Sequence, residues 1–287
     1  MLSRLWSLLK LTGKQLWHQP IHQMAAALSF FALFALPPLT LALMVAGSEV
    51  IGEDVRSTAL VEIERNLGRE AHDLVATVIQ NTPRPGEGDL LQQLLSLGAL
   101  VFGATAGFHQ LQVMLNLIWE VPRRRGWWRF LSTLLKRAMS FALVVASGTA
   151  VLALYGTGIL AQAIPEALSE ALGPEMMGWV EGWLRTGVFY LLLVVHLALV
   201  FKVLPDTKVP WSSAFFAGIL TTLLFLAGKE VVTLYLGHSD LSSAFGAAGS
   251  LVVTLIWVYA AALILLAGGA FSRAHALWRD QATVPAA

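Results

Sequence analysis

Apolar residues gather in six long runs, at about 25–47, 90–119, 138–161, 186–204, 211–236 and 249–271. Each matches or exceeds the ~20 residues that a helix needs to cross ~30 Å of hydrocarbon. No ten-residue stretches of alternating polarity occur, so the runs predict membrane-spanning helices and not the strands of a barrel. The connecting segments have their own periodicity. Leu2, Leu5, Trp6, Leu9 and Leu16 share one face opposite Ser3, Ser7, Lys10 and Lys14, which predicts an interfacial helix within residues 1–24. In the segment 48–89, Leu60, Ile63, Leu67, Ala71, Leu74 and Val78 recur at steps of three and four. This predicts one amphipathic helix over roughly 53–80, lying over the outer mouth of the bundle and ended by Thr82-Pro83-Arg84-Pro85-Gly86. A shorter acidic segment, 162–184, is interrupted by Pro165 and Gly173-Pro174. The longest piece outside the runs, 48–89, is too short for an independent domain. The expected fold is therefore a single all-α membrane domain over 1–287, with six transmembrane helices and amphipathic surface helices.

Composition agrees. Of 287 residues, 56% are hydrophobic and 13% charged, against about 25% charged in ordinary soluble domains. The mean hydropathy is +0.68. The absence of cysteine removes disulfides, thiolate metal sites and cysteine nucleophiles. Net charge is only +1, which singles out no polyanionic partner, but the placement of charge is informative. Thirteen basic residues fall on one side of the runs, including Arg4, Lys10, Lys14, Arg123, Arg124, Arg125, Arg129, Arg273 and Arg279, and five fall on the other. By the positive-inside rule both termini are cytoplasmic. Tryptophans cluster near the ends of the runs, as an aromatic belt requires. The first run is too long for a signal-peptide core, and Pro37-Pro38 sits inside it, so it is expected to stay in the membrane.

Four stretches in this order resemble the YihY/BrkB family of bacterial inner-membrane proteins, once called ribonuclease BN. They are Ala26-Ala27-Leu28-Ser29-Phe30-Phe31 with Pro37-Pro38; Gly103-Ala104 through Leu115-Asn116-Leu117-Ile118-Trp119; Leu204-Pro205-Asp206 with Val209-Pro210-Trp211, Lys229 and Tyr235; and Phe245-Gly246-Ala247-Ala248-Gly249-Ser250 with Ile256-Trp257-Val258-Tyr259. The chain departs from the family where Phe245 replaces a frequent tyrosine and where Gly269-Ala270 is followed by Phe271 instead of glutamate. The resemblance implies six spans, a bacterial inner-membrane location and a role in moving lipids or other envelope components.

Candidate functional residues are the polar ones inside the runs. Thr105, His109, Gln112 and Asn116 share one face of the second run. Their desolvation cost sends that face toward other helices or a wet cavity, either as packing hydrogen bonds or as a substrate lining. Lys229 and Glu230 are adjacent charges within the fifth run. Side chains ~100° apart are expected to diverge, so at least one should find a partner on another helix. His196 in the fourth run is either a satisfied buried histidine or part of the same cavity. Arg123, Arg124, Arg125 and Arg129, beside Trp127-Trp128, suit anionic headgroups and equally satisfy the topology rule. His18 and His22 have no third ligand nearby, and no metal or other cofactor is expected.

Three classes of function compete. A transporter or lipid-handling protein draws on the intramembrane polar groups. A non-transporting scaffold would bind envelope proteins through 48–89, with membrane lipids as the other partners. A nuclease would need clustered carboxylates, whereas the cytoplasmic side offers only Glu120, Asp206 and Asp280, in three separate segments. Nucleic acid is thus not expected as a partner, and no GxxxxGK[ST] phosphate loop is present. Neither enzymatic activity nor a particular oligomeric state follows from the residues.

Overall fold

The computed structural model describes residues 2–51, 55–67, 69–81, 106–122, 166–237 and 249–283, with separate helical positions between 135 and 152. Every regular element described is an α-helix. In chain order they are α1 (Leu2–His18), α2 (Ile21–Ile51), α3 (Val55–Leu67) and α4 (Arg69–Asn81), then α5 (106–118), α6 (Glu166–Val203), α7 (Trp211–Gly237) and α8 (Gly249–Thr283). Among the described residues, four stretches are long and apolar enough to span a bilayer: Ile21–Val50, Glu175–Val203, Trp211–Tyr235 and Val252–Asp280. The expected spans 90–119 and 138–161 lie largely outside the described residues.

The helix α8 is the hub, packing against α1, α2, α4 and α7, while α6 packs along α7. Close approach depends on small residues. A Cβ on Gly218 of α7 would come within 2.6 Å of the Val194 carbonyl oxygen on α6. One on Gly269 of α8 would meet Leu115 at 2.8 Å, and one on Gly107 of α5 would meet Ala35 of α2 at 2.8 Å. Such contacts are how membrane helices gain van der Waals energy where lipid removes the hydrophobic drive. The core they enclose includes Leu115, Ile118, Phe201, Leu204, Leu266 and Ala270, all fully buried. Outside that core the pattern is inverted relative to a soluble protein, with Leu191, Leu223, Val231 and Leu234 more than half exposed. This is the surface expected to face acyl chains. Three buried hydroxyls satisfy themselves locally: Ser29, Thr221 and Thr222 each donate to the carbonyl four residues earlier.

One expectation is corrected, and two helices run further than their apolar stretches. The single amphipathic helix over 53–80 is two helices, α3 and α4, packed on each other. Only Gly68, the weakest helix former after proline, stands between them. They do not merely cap the bundle either: Ala71, Leu74 and Ile79 are buried, and α4 packs on α2 and α8. Within the acidic segment 162–184 the chain is already helical, since α6 runs from Glu166 through the span to Val203. It bends at Gly173, whose φ of 73° only glycine adopts freely, and Pro174 then starts the second part with its ring preset for a helix. Finally, α8 continues beyond 271 to Thr283, about 52 Å in all.

Candidate functional site

The polar groups brought together in the interior lie at the junction of α5, the 204–210 turn and α8. Asn116 and Gln112 are one helical turn apart on α5. Pro205 ends α6 because it cannot donate to the helix ladder, and the chain then presents Asp206 to both amides. Asn116 Nδ2 donates to Asp206 Oδ2 at 2.9 Å, and the Asp206 backbone N–H returns a bond to Asn116 Oδ1 at 2.7 Å. Gln112 Nε2 donates to Asp206 Oδ1 at 3.3 Å. Since the carboxylate can only accept, the glutamine must turn its NH2 toward it. That leaves Gln112 Oε1 as a buried acceptor with no hydrogen-bond partner among the described residues, on a residue only 2% exposed.

The end of α5 is fixed by a second arrangement. Val121 N–H bonds the Asn116 carbonyl at 2.9 Å and Glu120 N–H bonds the Leu117 carbonyl at 3.0 Å. These are the two closing bonds of a Schellman cap, whose left-handed position is usually glycine. Here it is Glu120, with φ of 50°. A side chain in this conformation costs roughly 1–2 kcal/mol. The glutamate carboxylate makes up part of that by pairing with Arg273 of α8 at 2.6 Å. This hydrogen bond holds the Glu120 carboxyl below its ordinary range, against the opposing effect of desolvation. Arg273 also donates to the Ile118 carbonyl, one of the acceptors a helix leaves open at its end. Alongside, Lys202 donates to the Val209 carbonyl and lies 5.1 Å from the Trp211 ring centre, closing the turn. Ser213 and His275 share a buried hydrogen bond of 2.9 Å between α7 and α8.

The expected site residues are therefore distributed. Gln112 and Asn116 meet at this junction. His109, two turns earlier on α5, is exposed, and Thr105 lies outside the described residues, as do Arg123, Arg124, Arg125 and Arg129. His196 is half-buried on α6 and engaged in an interaction. Lys229 and Glu230 approach to 3.8 Å, Lys229 largely covered and Glu230 largely exposed. The expected divergence of these neighbours is corrected, because the four-carbon lysine stem spans the angle between them. Lys229 is 18 residues along α7 from Trp211, roughly 27 Å at 1.5 Å per residue. The pair thus stands nearly a membrane thickness from Asp206. His18 Nδ1 pairs with the Lys14 carbonyl at 2.9 Å and His22 Nδ1 with the Tyr259 hydroxyl at 3.0 Å. Sequence reasoning missed Asp206 as the partner of the α5 stripe and Arg273 as the partner of Glu120. The first had a signal in the Leu204-Pro205-Asp206 stop at the end of a span.

Asn116 and Asp206, which belong to two of the stretches that carry the resemblance, meet at this junction. The family profile described as Virulence factor BrkB matches residues 12–286. The chain belongs to the BrkB family. It is similar to a UPF0761 membrane protein of Chromobacterium violaceum, 27% identical over 265 residues, which is 91% of this chain and 60% of that protein. A UPF0761 membrane protein of Stenotrophomonas maltophilia is 27% identical over 285 residues, 94% of this chain and 62% of the relative. One from Tolumonas auensis is 30% identical over 111 residues, covering 38% of this chain and 37% of the relative. The chain thus spans about three-fifths of the length of the relatives it matches most fully. No solved structure matches it. It is an integral membrane protein of this family.

Proposed function

We propose that this chain handles membrane amphiphiles, moving lipid or another envelope component across or within the bacterial inner membrane, and that it is not an enzyme. The supporting observation is the buried amide of Gln112, held by Asp206 with no partner for its oxygen among the described residues. A buried polar atom left without a partner costs stability unless it serves an interaction formed at some stage of a working cycle. The basic end that holds it faces the cytoplasm in this reading, as the distribution of lysine and arginine requires. Reconstitution in liposomes with headgroup- or chain-labelled lipids tests the proposal. Transbilayer movement above protein-free vesicles, reduced by Gln112→Leu in a protein that still folds, is the expected result. Absence of movement for every lipid class would remove it.

A second reading has one observation in its favour. Asn116 both donates to and accepts from Asp206, so that bracket is complete in a single static arrangement. A scaffold that never changes shape would use such a lock, with envelope proteins meeting α3 and α4. Failure of the flux assay together with co-purification of a defined envelope protein through 48–89 would favour it.

A further inference from the structure

At the other end of α6 the structure holds an open trough of about 740 Å³, between α3 and the first turns of the α6 span. The volume lies within the ~300–1,000 Å³ typical of small-molecule sites. Its walls are Arg65 from α3 and Glu175, Trp179, Glu181, Trp183 and Arg185 from α6. Gly178 and Gly182 form its floor, and nothing lies within 4 Å of where a Cβ would stand on either. The spacing is regular. The two tryptophans are one turn apart and each 71% exposed, too far out to be core residues of this chain. Arg185 bonds Glu181 at 2.5 Å, and Arg65 lies 3.7 Å from Glu62. The lining thus offers two guanidinium groups, Arg65 and Arg185, and two carboxylates, Glu175 and Glu181, with Glu62 standing behind Arg65.

Its level is set by the rest of α6. Counting ~20 residues back from Lys202, which marks the basic end, reaches about residue 183. The trough therefore stands where the helix leaves hydrocarbon for headgroups, with the predominantly apolar stretch 187–201, broken by His196, directly below it. A ligand here is reached from the bilayer as well as from water. An anionic headgroup would meet as many carboxylates as arginines, and a purely cationic one would meet the reverse. A group carrying both charges a few ångströms apart satisfies each.

We propose that the Arg65–Trp179–Arg185 trough binds the headgroup of a zwitterionic phospholipid. The phosphate lies toward Arg65 and Arg185, using the guanidinium fork that suits phosphate oxygens. The ammonium lies toward Glu175, and the tryptophans flank it with their ring faces. The glycine floor gives the phosphodiester room, and the acyl chains descend along the apolar part of α6. The site is at the opposite end of α6 from the Asp206 junction, so it stands whether the protein transports or scaffolds.

The test uses the full chain, purified and delipidated in a non-ionic detergent. The probes are dihexanoyl phosphatidylethanolamine, dihexanoyl phosphatidylglycerol and inorganic phosphate, titrated against the thermal midpoint. The ethanolamine lipid is expected to bind roughly tenfold or more tighter than the glycerol lipid, as complementary charge predicts, and phosphate alone to have no effect. The double variant Arg65→Gln/Arg185→Gln should weaken the ethanolamine lipid by at least about tenfold, in line with two lost charge-assisted contacts. Glu175→Gln, at an exposed position that leaves the arginines in place, should keep the protein's own midpoint. It should also bring the two lipids within about threefold of each other. Equal binding of both lipids, protection by inorganic phosphate, or an unchanged lipid ratio in Glu175→Gln would each overturn the proposal. So would shielding of Trp179 and Trp183 by a second copy of the chain in the lipid-free protein.

Discussion

Replacing Asp206 with alanine is the sharpest perturbation of the interior junction. The carboxylate accepts from Asn116 at 2.9 Å and from Gln112 at 3.3 Å. Hydrogen bonds to an ionised partner contribute about 1.5–3 kcal/mol each, and the longer one belongs at the bottom of that range. Asn116 is only half-buried, so water can recover part of its loss. Gln112 is 2% exposed and its oxygen has no partner among the described residues, so removing the aspartate strips the amide of its remaining bond there. The sum is about 2–4 kcal/mol. For a chain of this size that is a fall of very roughly 4–10 °C in the unfolding midpoint.

Size alone would not prove the mechanism, so the decisive measurement is a double-mutant cycle with Asn116→Ala. Once the partner is gone, the second substitution should cost little, giving a coupling of at least ~1 kcal/mol. Midpoints are compared in one detergent at one scan rate by fluorescence-detected gel filtration. Asp206→Asn, which keeps the shape and loses the charge, should fall between the two. A midpoint for Asp206→Ala within a degree of the parent, or strictly additive losses, would refute the junction as described.

Four further outcomes follow, three from other contacts and one from the placement of charge. Gly218→Ala should destabilise by about 1–3 kcal/mol, because its Cβ would stand 2.6 Å from the Val194 carbonyl and push α7 off α6; parental thermal stability would contradict this. Glu120→Gly should be as stable as the parent or more so, since it removes the left-handed penalty, whereas Glu120→Ala keeps the penalty and loses Arg273. As the carboxyl of Glu120 is lowered in the folded state, its contribution is present above the ordinary carboxylate range and lost as pH falls through the lowered value; with 65% of the side chain exposed it amounts to less than ~1 kcal/mol, and Glu120→Gln should flatten the midpoint's acid limb. On this cysteine-free background, Lys14→Cys and Arg124→Cys should resist impermeant thiol reagents in intact cells while Thr58→Cys reacts, and labelling of Arg124→Cys would invert the topology.

The sequence discloses what one helix can reveal about itself. Apolar run length located the described spans, because hydrocarbon thickness sets it without reference to neighbours. What it concealed came from continuity and from pairing. Run length ends where polarity begins, yet α6 and α8 stay helical beyond the membrane, where helix propensity and packing take over from hydropathy. The stripe on α5 was legible as polar and co-facial. Its partner was not, since Asp206 lies 90 residues from Asn116 and is brought there by the way α6 packs on its neighbours. The same stripe shows the limit of face arguments: Gln112 is buried and His109, on the same side, is exposed, because a neighbouring segment covers one stretch of a helix and not another. The outer trough was still less legible, needing Arg65 and Arg185 from helices 120 residues apart in the chain.

These two ends of α6 are built differently, and the difference carries a prediction about motion. At the basic end every turn is held across elements: α5 to Asp206, Glu120 and Ile118 to Arg273, α7 to α8 through Ser213 and His275. At the outer end the ion pairs at Arg65 and Arg185 are made within single helices, the trough floor is glycine, and Gly173 supplies a bend. Bonds within one helix do not resist its displacement from another, and glycine gives up contacts that would. Amide exchange should therefore be slow through 112–121 and at Asp206, whose N–H is held by Asn116, and orders of magnitude faster across 175–183. Asn116→Ala should release the Asp206 amide without altering the outer segment. If the outer turns of α6 exchange as slowly as the junction, the two ends move as one body. The trough would then be a fixed binding surface, and any rearrangement during lipid handling would have to be sought on other helices.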